Sequence, residues 1–184
     1  MPFSPAYKDL SKSQLISVLG MILVMAFIGA WIFSAHLKAA DKQTISAKVI
    51  GVKDGDTITV LDEANKQLKI QLAGIDAPER NQNFGMRARK NLADKIFGKH
   101  IQIILRGTDR ANGIVGVVTL DDKDINETMV NDGYAWAFKK PSDEQPDEEI
   151  ERYEAAQAYA KENHLGLWQD PNSIPPWEFR VKKK

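Results

Sequence analysis

Two short acidic segments carry the residue types from which a hydrolytic site can be built: Asp54-Gly55-Asp56-Thr57 and Ala73-Gly74-Ile75-Asp76-Ala77-Pro78-Glu79. Each alone is ordinary turn chemistry, because Asp and Gly populate turns and Pro78 restricts the residue before it to extended geometry. The pair, in this order and with strands between, is more specific. It places Asp56, Asp76 and Glu79 where they can converge at the ends of neighbouring strands. Three carboxylates in one cleft repel one another unless a cation offsets them. Ligands that are all oxygen suit a hard ion such as calcium or magnesium. The remaining candidates are weaker. His36, His100 and His164 are scattered and suggest no histidine metal site, and the chain has no cysteine, which excludes a disulfide partner and thiolate ligation. Trp136 and Phe138 are aromatic enough to stack on bases, although such residues more often fill a core.

The elements that must hold these residues are legible from periodicity. Ile45–Val52, Thr57–Leu61 and Leu68–Ala73 read as three strands, with turn signals at Lys53-Asp54-Gly55 and Glu63–Lys66. Ala88, Leu92 and Ile96 recur every four residues and predict a helix over 84–97, with Gly98 suited to its end. His100–Leu105 and Ile114–Leu120 follow as strands. Asp124 is placed to cap a short helix over 125–132, ended by Gly133. Residues 141–147 read as an acidic, proline-bearing loop. Glu148–His164 predicts a helix whose apolar stripe is Ile150, Tyr153, Ala156 and Ala160, closed by Gly166. Residues 171–184 read as irregular, with Ile174-Pro175-Pro176-Trp177 packing back onto the body and Lys182–Lys184 a solvated end. Three strands, a helix, two strands and further helices form an α+β pattern that a small barrel covered by helices accommodates.

Ahead of this domain, Leu15–Phe33 is an uncharged apolar run about 29 Å long as a helix, close to the hydrocarbon thickness of a bilayer. It predicts a transmembrane signal anchor over 15–33, preceded by a tail (1–14) and followed by a linker (34–44). Lys8 and Lys12 favour a cytoplasmic amino terminus, which puts the domain outside the cytoplasm. Cleavage as a signal peptide, giving a secreted protein, is the alternative. The chain carries 25 basic and 25 acidic residues. Because residues 1–40 hold Lys8, Lys12 and Lys38 against Asp9, the remainder is slightly acidic, which argues against tight, extended nucleic-acid binding driven by phosphate neutralisation.

Taken together, Lys53–Thr57, Leu72–Glu79, Asp109-Arg110, Val130–Trp136 and the late segment Tyr153–Ala158 ending in Leu165-Gly166-Leu167-Trp168 resemble the staphylococcal nuclease (thermonuclease) family. The likeness covers residues 45–168 and leaves 169–184 as a C-terminal extension. It implies a five-stranded OB-fold β-barrel with about three helices, besides the N-terminal transmembrane helix. It also implies a calcium-dependent nuclease acting on DNA or RNA. By position, Asp56, Asp76 and the main-chain carbonyl of Ala77 correspond to the metal ligands. Glu79 corresponds to the glutamate that positions or deprotonates the attacking water.

The sequence departs from the family at both arginines that hold the phosphate: Gln71 stands in one position and Gly113 in the other. Arginine offers a permanent charge and a fork matched to phosphate; glutamine offers neither, and glycine has no side chain. Losing one such donor typically costs about 10²–10³ in rate. The expectation is therefore a scaffold of weak or lost activity that retains metal or nucleic-acid binding. The alternatives are a fully active membrane-anchored enzyme using a substitute cation and a protein-interaction OB module. Arg110 is the leading substitute, with Arg80, Arg87 and Lys53 as further local candidates.

Overall fold

The computed structural model describes residues 43–108, 113–138 and 145–182. The apolar run Leu15–Phe33, His36 and Arg110 lie outside the described residues. Among those described, no helix is long and apolar enough to cross a membrane.

Five strands close into a barrel. β1 (Thr44–Val52), β2 (Thr57–Asp62) and β3 (Gln67–Leu72) form an antiparallel meander. β5 (His100–Thr108) pairs with β1 on its other side and with β6 (Ile114–Leu120), and a short parallel pairing of β6 with β3 closes the ring. Alternation decides the inward face: Val49, Ile58, Val60, Ile70, Leu72, Ile101, Ile103 and Val118 fill the interior. Irregular register in β1 between Val49 and Gly51, and in β5 between Leu105 and Gly107, bends these strands enough to curl the sheet.

Three helices cover the barrel. α1 (Gly85–Ile96) buries Ala88, Leu92 and Ile96, the expected stripe. α2 (Ile125–Asn131) begins at Asp124, whose carboxylate accepts the Glu127 N–H as a helix cap. α3 (Asp147–Glu162) buries Tyr153, Ala156 and Ala160 as expected, but the fourth buried position is Glu149, while Ile150 is only half-buried. Glu149 goes inside because it meets Arg106 of β5 at 2.6 Å, in an ion pair closed to solvent on both sides. Gly166 does not end α3; the chain leaves that helix at Asn163, and Gly166 opens a 3-10 turn, Gly166–Gln169.

Three elements fall outside the sequence-based expectation. β4 (Ile75–Asp76) pairs antiparallel with β8 (Trp136–Ala137), so the acidic segment is not a free turn. β7 (Lys123–Asp124) folds back on β6 through Asp121 and Asp122, both at positive φ. The segment expected to be irregular contains a fourth helix, α4 (Pro176–Lys182). Pro176 is its first residue, where a missing N–H is harmless.

One buried polar side chain joins these parts. Asn126 is inaccessible to solvent; it donates to the carbonyls of Ala73 (2.9 Å) and Gly116 (3.2 Å) and accepts from the Val118 N–H (3.0 Å). It therefore pins the turn that leads into β4 against β6. Asn126→Ala takes a partner from the Ala73 carbonyl and the Val118 N–H, while the Gly116 carbonyl keeps the Ala73 N–H, and is expected to lower unfolding free energy by about 2–4 kcal/mol, measured by urea denaturation.

Candidate active site

The Asp54–Thr57 turn aims one carboxylate inward. Asp54 accepts the Asp56 N–H at 3.2 Å, a local side-chain turn. Leu72 then donates to the Asp56 carbonyl at 2.8 Å, which fixes the start of β2 against the end of β3. Gly55 is required by packing: a Cβ there would lie 2.7 Å from the Ala77 Cβ and 2.8 Å from the Ala88 Cβ. That close approach presses the first acidic segment against the second and against α1. The Ala77 N–H donates to Asp56 Oδ2 at 2.9 Å, and the Thr57 hydroxyl donates to Oδ1 at 2.8 Å.

Asp76 leaves β4 facing the same place, with its side chain only 2 % exposed. Ala77, and with it its carbonyl, is next along the chain and buried. Glu79 lies at the rim, half-exposed. Its backbone is held by Gln82, whose side-chain oxygen accepts the Glu79 N–H at 3.1 Å. Gly85 permits this arrangement, since a Cβ there would overlap the Glu79 carbonyl oxygen at 1.9 Å.

The structure thus brings Asp56 and Asp76 together and sets Glu79 beside Asp76. It does not form a compact cage of three acids: among the described residues, no group of three His, Cys, Asp or Glu has metal-holding spacing. What stands between Asp76 and Glu79 is a guanidinium from α4. Arg180 Nη1 donates to Asp76 Oδ1 (3.2 Å) and to Glu79 Oε1 (2.9 Å), and Nη2 donates to Asp76 Oδ2 (2.6 Å). The hydrogen bonds to Asp76, ahead of all other causes, raise the pKa of Arg180 further above its already high ordinary value.

Arg180 was not among the residues singled out from sequence. The signal existed: the Pro-Pro-Trp stretch is an anchor, and Arg180 follows Trp177 by three positions, on the same face of a helix. Trp177 stacks on Phe138 (4.7 Å between ring centres, 20° between planes) and meets Trp136 edge-on at 6.4 Å; Trp136 in turn meets Trp168 at 5.3 Å. Trp136 is therefore packed inside an aromatic cluster rather than open to a base. The Gln82 side-chain amide donates to the Ile174 carbonyl, so the residue that holds Glu79 also holds the tail carrying Arg180.

The other candidates are placed as follows. Gln71 lies half-buried on β3, paired with Thr57 on one side and Val115 on the other, beside the site but without charge. Gly113 is buried at the entry to β6. Lys53 and Arg80 are exposed and form no ion pair with the cluster among the described residues, and Arg87 rests over the Phe84 ring at 5.0 Å. His100 and His164 are exposed.

The donor set suits a hard cation. Asp56 is buried, has no ion-pair partner among the described residues and feels both Asp54 and Asp76. Burial first, then Asp54, push its pKa up to about 8, against the hydrogen bonds from Ala77 and Thr57 that favour the charged form. Asp56, Asp76 and the Ala77 carbonyl are all oxygen donors of the kind calcium takes.

The consequence for stability has a definite sign. The folded chain keeps a proton on Asp56 up to about pH 8, whereas the unfolded chain releases it near pH 4. Stability of the metal-free protein is therefore expected to fall as pH rises between those limits. Asp56→Asn removes the charge; its amide oxygen can still accept the Ala77 N–H, and its NH2 can donate to the Thr57 hydroxyl in place of accepting from it. It should raise the metal-free melting temperature at pH 7 by at least about 4 °C and flatten the slope, read by thermal denaturation in chelator.

Comparison with known proteins agrees with this architecture. The family model described as "Staphylococcal nuclease homologue" matches residues 69–170. A Haemophilus influenzae protein described as an uncharacterized endonuclease is 36% identical over 148 residues, covering 80% of each chain. A micrococcal nuclease of Shigella flexneri is 40% identical, covering 74% of this chain and 81% of its own. The protein ParB of Escherichia coli is 34% identical, over 74% and 79% respectively.

Proposed function

Because the chain belongs to the staphylococcal nuclease family, we propose that it hydrolyses phosphodiester bonds of DNA or RNA at the Asp56–Asp76–Glu79 site with calcium as cofactor. The observation that carries this reading is the buried Asp56–Asp76 pair with Glu79 at its rim. Asp56, Asp76 and the Ala77 carbonyl would hold the ion. Calcium bound there supplies Lewis-acid polarisation of a phosphoryl oxygen and offsets charge in the transition state.

The chain's own residues do the rest. Glu79, partly open to solvent, accepts a proton from a water at hydrogen-bond distance. The water oxygen bonds to phosphorus as the ester P–O bond breaks, and the leaving oxygen takes a proton from solvent. Thr57 and the Ala77 N–H keep Asp56 aimed at the ion position. A second reading, a domain that binds nucleic acid without cleaving it, is favoured by Gln71 and Gly113 standing where family members carry arginine.

The test is incubation of the full chain with single-stranded DNA and with RNA, in calcium and in chelator. Chelator-sensitive cleavage is expected. Glu79→Gln should lower kcat by about 10²–10⁴, and Asp56→Ala should abolish the response to calcium. Binding without cleavage under all conditions would establish the second reading instead.

The placement of this domain is part of the proposal. The apolar length of Leu15–Phe33 and the lysines Lys8 and Lys12 support a membrane anchor with the domain outside the cytoplasm. The full chain should then stay with membranes after alkaline carbonate extraction and be open to protease added to spheroplasts. Release of the whole chain into the wash would count against the anchor.

A further inference from the structure

The phosphate in such a reaction gains charge in its transition state, and the site must meet that charge with donors. Near Asp76 and Glu79, the two positions that supply guanidinium groups in the family hold Gln71 and Gly113, and no ion pair joins Lys53, Arg80 or Arg87 to the carboxylates among the described residues. Among the described residues, Arg180 reaches both of them, and it comes from the extension beyond the barrel.

The geometry of its bonds matters more than its charge. A guanidinium carries five N–H groups in one plane. Arg180 commits both Nη1 hydrogens, to Asp76 and Glu79, and one Nη2 hydrogen, to Asp76. The Nε hydrogen and the second Nη2 hydrogen take no part in those bonds. These two share one edge of the plane and point in parallel, the fork that two phosphate oxygens accept. The Arg180 side chain is 44 % exposed, so the guanidinium is not sealed from the surface of the site. Its position is set from both ends of one helical turn: Trp177 is stacked on Phe138, and the carboxylates fix the guanidinium.

We propose that Arg180 is a catalytic residue of this site: held edge-on by Asp76 and Glu79, it offers its Nε and Nη2 hydrogens to the scissile phosphate and replaces the charge absent at Gln71 and Gly113. This rests on the phosphodiesterase reading above. It turns the C-terminal extension from an appendage into part of the active site, and it makes Trp177 and Gln82 the residues that position the phosphate-binding group.

The experiment compares the full chain with Arg180→Met and Arg180→Lys. Cleavage of a fluorescein-labelled single-stranded oligodeoxynucleotide is followed in calcium. Binding of the same probe is read by anisotropy in a Glu79→Gln background. Arg180→Met should lower kcat about 10²–10³-fold, weaken probe binding at least about 10-fold and reduce the salt dependence of binding by about one phosphate contact. Arg180→Lys, which keeps charge but lacks the fork, should recover only part of each effect. Adding Gln71→Arg to Arg180→Met should restore cleavage in part, which a purely structural role for Arg180 would not produce.

Unchanged or faster cleavage with tighter calcium binding would overturn the proposal and make Arg180 a plug that competes with the cation. Should the unmodified chain cleave nothing, the hydrolytic reading fails, and the binding arm still decides: unaltered probe affinity in Arg180→Met overturns the proposal on its own.

Discussion

Two carboxyl groups, Asp56 and Asp76, are shut away from water beside the barrel, and the cost of charging them there governs the surrounding structure. Charge of one sign in a poorly solvated place is costly unless an opposite charge or convergent donors meet it. Asp76 is met by Arg180, at the far end of the chain. Asp56 is met, among the described residues, by the Ala77 N–H and the Thr57 hydroxyl, and burial raises its proton affinity in spite of them. A fold built only for stability has no need of such a pair. Its presence beside the barrel is what the proposed cation site rests on.

The scaffold works to keep that pair close. Gly55 lets the first acidic turn press on Ala77 and α1, β4 is secured by pairing with β8, and Asn126 ties the turn preceding β4 to β6. The Arg106–Glu149 pair holds α3 to the barrel from within. Such a pair adds little net stability over an apolar one, but removing either partner strands a buried charge. The tail is attached differently, through the contacts of Trp177 with Phe138 and Trp136, the Gln82–Ile174 and Asn83–Asp170 hydrogen bonds and an ionic contact at its tip. The rigid part of the site therefore belongs to the barrel, and its cationic part belongs to a short helix docked on it.

Much of this was legible in the sequence because it is local. Alternating apolar residues placed the five barrel strands within a few residues, the Ala88–Leu92–Ile96 spacing placed α1, and Asp124 marked the start of α2. What failed also has a cause. Hydrophobicity, the usual reason for burial, points to Ile150 in the buried stripe of α3, but Glu149 is buried by a partner on β5 that spacing alone does not reveal. Gly166 reads as a helix terminator, where glycine is common, but it belongs to the turn after the helix. α4 is seven residues long, too short to show a periodic face, and β4, β7 and β8 are two residues each.

By itself, the sequence determined which chemical groups are on offer: acidic residues in two turn-forming segments, no cysteine, and uncharged side chains at Gln71 and Gly113. Residue identity and short-range backbone preference are sufficient for that, since turns and strands are decided within a few positions. Only the tertiary structure decided which charges meet. Arg180 and Asp76 are 104 positions apart, and no local preference connects them. Their contact follows from barrel closure and from the docking of Trp177, which are properties of the packed chain as a whole.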